Sequence, residues 1–144
     1  MQIVRFTPAH LAALELQDAQ IHLSSELTRP GYGDMLAAAG QSFSALAGDR
    51  VVCVAGLLPQ WEGRAIAWAL LSRQAGRYFL PVHRAVHGFL AQSAFRRVEA
   101  FVDAEFSRGC RWLEMLGFDN ETPGAPMRKY TPDGKDCFLY ARVK

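Results

Sequence analysis

Residues Phe95–Phe118 read FRRVEAFVDAEFSRGCRWLEMLGF, the most informative segment of the chain. Val98, Ala100 and Val102 alternate with polar neighbours, which is the period of a strand with one buried face. Cys110, Leu113 and Leu116 then recur at helical spacing, with Ser107 placed to cap the helix start. Gly117 can adopt the left-handed conformation that ends a helix, and Phe118 can fold back onto the core. The stretch therefore predicts a strand, a turn, a helix and an abrupt stop.

Working outward, the segments predict β, two or three α, a three-strand meander, α, β, α, β, β. Gln2–Phe6 alternates as a short strand, and Thr7-Pro8 forms a helix start with Pro at the first helical position. Helical segments are expected after Pro8, over 18–27, and from Asp34 to Ala39, with Arg29–Gly33 as a breaker. Ser42–Ala47, Val51–Leu58 and Arg64–Ser72 are strand-like, joined by the hairpin-sized linkers 48–50 and 59–63. An amphipathic helix is expected from Leu80 or Pro81 to Gln92, and a last strand over Cys137–Val143. Hairpins followed by βαβ crossovers place the chain in the α/β (α+β) class. The expected architecture is a mixed, mostly antiparallel central sheet flanked by helices on both faces.

The chain has 144 residues, half of them apolar, which is the size of one domain with one substantial core. Its net charge of +2 does not argue for nucleic acid. Charge is unevenly placed, however: residues 73–111 hold seven Arg and three acids, an excess suited to an anionic ligand or to a solvated surface. Those arginines carry no nucleic-acid recognition motif. Cys53, Cys110 and Cys137 form no CxxC and no even disulfide framework, which predicts a reducing compartment. With no signal pattern and no bilayer-length apolar run, the expected location is the cytoplasm. His83 and His87 stand four apart on one helix but have no third ligand in sequence, so no metal site is expected.

The strand–helix–Gly-Phe unit and the element order resemble the GCN5-related N-acetyltransferase (GNAT) superfamily. As topology the resemblance spans nearly the whole chain, and as local sequence about residues 50–118. It implies one acyltransferase domain over 1–144, acetyl-CoA or another acyl-CoA as cofactor, and an amine acceptor, small molecule or protein. It implies that Trp68, Ala69, Leu70 and Leu71, on the fourth strand, present backbone groups to the pantetheine arm, as an added strand would. It implies that the pyrophosphate sits at the following helix start. The family pattern there is Arg/Gln-x-x-Gly-x-Gly/Ala. Arg73-Gln74-Ala75-Gly76-Arg77-Tyr78 matches Arg73 and Gly76 and departs at Tyr78. Arg73, Arg77 and Arg84 could hold phosphates directly.

Aligned on Gly117-Phe118, the family's acidic Tyr falls at Leu113, or at Trp112 with a shift of one, and neither can protonate a leaving thiolate. Glu62, Glu99, Asp103 and Tyr78 are the remaining candidates for proton transfer. The Phe79-Leu80-Pro81-x-His83-Arg84 segment and Arg111-Trp112-Leu113 are also similar to small GNAT-like proteins of tailed bacteriophages, some of them virion-associated. That second resemblance implies a phage or prophage origin, and an inactive binding or structural protein as the alternative to an enzyme. A homodimer through the strand at Cys137–Val143, or a virion partner, completes the expectations.

Overall fold

The computed structural model describes residues 1–144. The chain folds as two compact units, one of Met1–Pro59 with Ala67–Ser93 and one of Gln60–Ile66 with Ala94–Lys144.

The first unit begins with β1 (Gln2–Arg5) and α1 (Pro8–Ala13). The Thr7 N–H donates to His10 Nδ1 at 3.3 Å, and Pro8 occupies the first turn, where its missing N–H costs nothing. The expected second helix is two pieces, a 3₁₀ turn over Asp18–Leu23 and a single turn, α2 (Ser24–Leu27). None of these three helical pieces buries a residue fully. Helix α3 (Tyr32–Ala39) starts two residues earlier than Asp34, because Gly31 takes φ +81° and turns the chain into it. Strands β2 (Ser42–Ala47) and β3 (Arg50–Trp61) pair antiparallel. Strand β4 (Arg64–Leu71) follows and is divided between the two units.

A bulge shapes the core of this unit. Ala45 faces Cys53 and Leu46 faces Val51, so Val52 is an extra residue and the alternation of β3 changes phase. Val51 and Val54, three apart, therefore join one cluster with Phe6, Leu36 and Leu70, against which Leu16, Leu23 and Trp68 pack. Burying side chains of this size contributes about 1.5–3 kcal/mol each. Gly56 makes room for Trp68, since a Cβ on Gly56 would lie 2.9 Å from the indole Cζ2 and 2.8 Å from the Gln41 carbonyl oxygen. Phe43 points to the opposite face and meets Phe89 of α4 (Phe79–Gln92), ring centroids 5.2 Å apart. Val82, Val86 and Leu90 form the buried stripe of that helix. Helix α4 starts at Phe79 rather than at Leu80 or Pro81. Proline in the third position is accommodated because the first turn's N–H groups have no helical partner.

In the second unit, Arg64–Ile66 of β4 pair parallel with Arg97–Glu99 of β5 (Arg97–Asp103). All seven residues of β5 pair antiparallel with β7 (Cys137–Val143). β6 (Asp119–Asn120) pairs with the other side of β7 at Ala141 and Tyr140. The strand order is β1-β2-β3-β4-β5-β7-β6. β7 is not the free edge expected for a sheet-to-sheet dimer. β6, the Met127–Cys137 bridge and the Thr122 hydroxyl, which accepts the Leu139 N–H, cover its outer side.

Helix α5 (Ser107–Met115) includes Ser107 as its first residue, and the cap position falls to Phe106, which makes no side-chain cap bond. Its end is as expected. Gly117 takes φ +89°, its N–H donates to Glu114 O, and Phe118 N–H donates to Leu113 O. These two bonds make a Schellman motif and deliver Phe118, 3% exposed, to the core. Gly117→Ala should lower stability by about 1 kcal/mol through the left-handed backbone penalty. Urea unfolding should show this as a lower midpoint with an unchanged slope.

Candidate functional site

Ser72 N–H donates to Val52 O at 2.9 Å, so even-numbered residues of β4 turn their backbone groups toward β3. Odd-numbered residues turn theirs to the other edge. Within the first unit that edge carries Ala69 O, Leu71 N–H and Leu71 O. A strap made of residues 15–20 meets it. Gln20 Nε2 donates to Ala69 O at 2.8 Å, and Leu71 N–H donates to Gln20 Oε1 at 3.0 Å. Gln17 N–H donates to Leu71 O at 2.9 Å, and Arg73 N–H donates to Glu15 O at 2.9 Å. Leu16 and Ser72 form an isolated antiparallel bridge. Of the four strand residues expected to meet a pantetheine arm, Ala69 and Leu71 offer backbone groups to this edge. Trp68 and Leu70 face β3 with their backbones and the core with their side chains.

The segment after β4 is not an open glycine loop. Ala75–Tyr78 coil into a 3₁₀ turn that runs directly into α4. Gln74 N–H donates to Ser72 Oγ, Ala75 N–H to Ser72 O and Arg77 N–H to Gln74 O. Three backbone donors that a phosphate would seek are thus already engaged. A Cβ on Gly76 would meet nothing within 4 Å, so the glycine does not serve close approach to another chain segment. Arg73, Arg77 and Arg84 are exposed, and Arg73 lies 3.6 Å from Asp18 of the strap. Tyr78 is half-buried at the cap position of α4. Phe79, His83 and His87 form an aromatic row along α4, with centroids 5.9 and 6.0 Å apart.

In the second unit, Glu62 is exposed in the turn between β3 and β4. Glu99 is buried, and Arg64 grips both its oxygens, Nε to Oε1 at 2.5 Å and Nη2 to Oε2 at 2.9 Å. The Trp61 ring lies against the same guanidinium, 4.4 Å from ring centroid to Cζ. The Arg64 hydrogen bonds hold the Glu99 carboxyl below the usual carboxylate range, despite burial that acts the other way. A carboxylate so stabilised is a weak base. Arg97 extends the cluster to Glu121. Asp103 caps the following turn by accepting the Glu105 N–H.

Trp112 and Leu113 stand on α5, where the resemblance would put an acidic Tyr. A phenol reaches this helix from elsewhere: the Tyr140 hydroxyl, carried by β7, donates to Glu114 Oε1 at 3.2 Å and contacts the Cys110 thiol. Tyr140 is 2% exposed, and burial pushes its phenol well above the usual range. Burial likewise raises Cys110, and pushes Cys53 up to about 12 and Cys137 to about 11. These thiols stay protonated at neutral pH, as packing groups do.

Gln20 and Tyr140 went unread in the sequence. Gln20 reaches strand groups about fifty residues away, and no local pattern announces such a contact.

Neither a protein-family model nor a curated protein matches this sequence. Solved structures do match in fold. A GNAT-family acetyltransferase from Bacillus anthracis superposes with TM-score 0.68 at 18% identity, covering 98% of this chain and 93% of that one. Spermidine N-acetyltransferase from Vibrio cholerae, solved with CoA and spermine, gives 0.68 at 12% identity, over 99% and 94% of the two chains. Ribosomal-protein-S5-alanine acetyltransferase from Vibrio fischeri gives 0.66 at 10%, over 99% and 92%. The fold is therefore the GNAT fold, in agreement with the element order read from sequence. No helix is long and apolar enough to cross a membrane.

The Glu99–Arg64 pair sets a pH dependence. A carboxyl whose folded pKa lies below its unfolded value near 4.3 contributes stability above that pH and loses it as pH falls further. Glu99→Gln should cost about 2 kcal/mol at pH 7. The gap between variant and wild type should close below about pH 4 in unfolding curves taken at successive pH values.

Proposed function

We propose that this chain is an acetyl-CoA-dependent N-acetyltransferase, one acyltransferase domain over residues 1–144, acting in the cytoplasm. The observation that carries the reading is the amide seated on β4. Ala69 O accepts from the Gln20 carboxamide nitrogen and Leu71 N–H donates to its oxygen. A pantetheine arm offers amides of the same kind, so the edge fits the cofactor's chemistry. The phosphate end fits through side chains rather than a glycine loop: Arg73, Arg77 and Arg84 supply charge where the backbone donors are engaged.

The cofactor would supply an acyl thioester. The acceptor amine attacks the carbonyl carbon, the C–N bond forms, the C–S bond breaks, and the thiolate takes a proton. Backbone donors of β4 would polarise the carbonyl. Proton transfer on the unit that carries this edge falls to Tyr78 or to water, and Glu99 is committed to Arg64. The acceptor is an amine, on a small molecule or a protein. The Vibrio cholerae neighbour was solved with spermine, a polyamine, which makes polyamines a first acceptor class to test.

A second reading is favoured by Trp112 and Leu113, which give α5 no proton donor at the family position. It is a GNAT-fold binding protein of phage origin, virion-associated and without turnover, engaging a partner or a second copy of itself. Calorimetric titration with acetyl-CoA separates the two. Micromolar, salt-sensitive binding, weakened about five- to tenfold by Arg77→Ala or Arg84→Ala, is the result expected of the enzyme. Absence of binding at millimolar ligand would leave the binding-protein reading.

A further inference from the structure

We infer that the strap of residues 15–20 is an autoinhibitory latch, in which the Gln20 carboxamide occupies the ligand-binding edge of β4 and must swing away before an acyl-CoA can be seated. The inference rests on the acyl-CoA reading above.

The geometry is that of a substitute ligand. One planar amide satisfies Ala69 O and Leu71 N–H together, at 2.8 and 3.0 Å. A secondary amide of an incoming pantetheine needs the same carbonyl and the same N–H, so the two cannot bind at once. The strap covers the neighbouring groups as well, through Gln17 N–H to Leu71 O and Glu15 O to Arg73 N–H. Gln17 Nε2 also donates to Gln20 Oε1 at 2.9 Å and fixes which end of the carboxamide faces which partner. Asp18 reaches the first of the phosphate-side arginines, Arg73, at 3.6 Å. A single strap thus engages both the amide-binding and the charge-bearing parts of the site.

The latch is built to open. Neither α1 nor the 3₁₀ turn that carries Gln20 has a fully buried side chain, which places them at the low-stability end of the fold. The Arg73–Asp18 pair is exposed on both sides and contributes little. Displacement by a ligand that replaces the edge hydrogen bonds uncovers half-buried Leu16 and Leu23 but none of the fully buried side chains.

The test compares wild type, Gln20→Ala and Gln20→Glu in titrations with acetyl-CoA, together with amide hydrogen exchange at Leu71. Gln20→Ala should bind about tenfold tighter, and its Leu71 N–H should exchange about tenfold faster without ligand. Gln20→Glu keeps the volume and the acceptor but loses the donor to Ala69 O. Its carboxylate would face the Ala69 carbonyl oxygen, so it should also bind tighter than wild type, and it guards against a folding defect in the smaller variant. Equal or weaker binding by both variants would overturn the latch and leave the acyl-CoA reading standing. Failure of all three proteins to bind at millimolar ligand would overturn both.

Discussion

The backbone of β4 cannot leave its outer edge unpaired, and much of the molecule is arranged around that requirement. Buried N–H and C=O groups must find partners. At Arg64–Ile66 the partner is β5, in parallel register. From Ala69 onward it is the strap and the Gln20 side chain. This change of partner explains why residues 15–17 are extended chain rather than helix. A regular helix would use its own backbone groups and offer none to β4.

The second unit solves a different problem, that of charge in a buried strand. Glu99 sits in the middle of paired strands, and its carboxylate is tolerable because Arg64 supplies two directed hydrogen bonds. The guanidinium is in turn covered by Trp61, at a tip that would otherwise expose both. This arrangement removes Glu99 from any chemistry requiring a free base. A phenol does reach α5 from β7, but Tyr140 is enclosed and tied to Glu114. The scaffold is retained while its polar groups serve the scaffold.

Elements governed by local pattern were legible in the chain. Ser42–Ala47 and Cys137–Val143 form as strands over the residues their alternation marks, and Gly117-Phe118 stops its helix as glycine chemistry requires. Boundaries set by neighbours were less so. β3 runs on to Trp61 through Pro59, which lacks a donor, and α4 takes in Phe79 and Leu80 ahead of Pro81. Ala69, Leu71 and the arginines could be marked in the chain as candidates, but the segment that pairs with the strand groups could not. Nothing in the spelling of residues 15–20 distinguishes a strap from a loop. Its role depends on a distance in space of 2.8 Å between residues 49 apart in sequence.

The contact between Gly56 and Trp68 carries an evolutionary consequence. The indole lies where a side chain at 56 would be, so the two positions share one volume. A methyl group at 56 would collide with the Gln41 carbonyl oxygen and the Ser42 Cβ as well as with the indole, so a smaller residue at 68 does not admit it, and such a residue leaves a void that 56 cannot fill. Related sequences should therefore keep glycine at 56 even where the residue at 68 differs, because the strand neighbour and not only the indole forbids a side chain there.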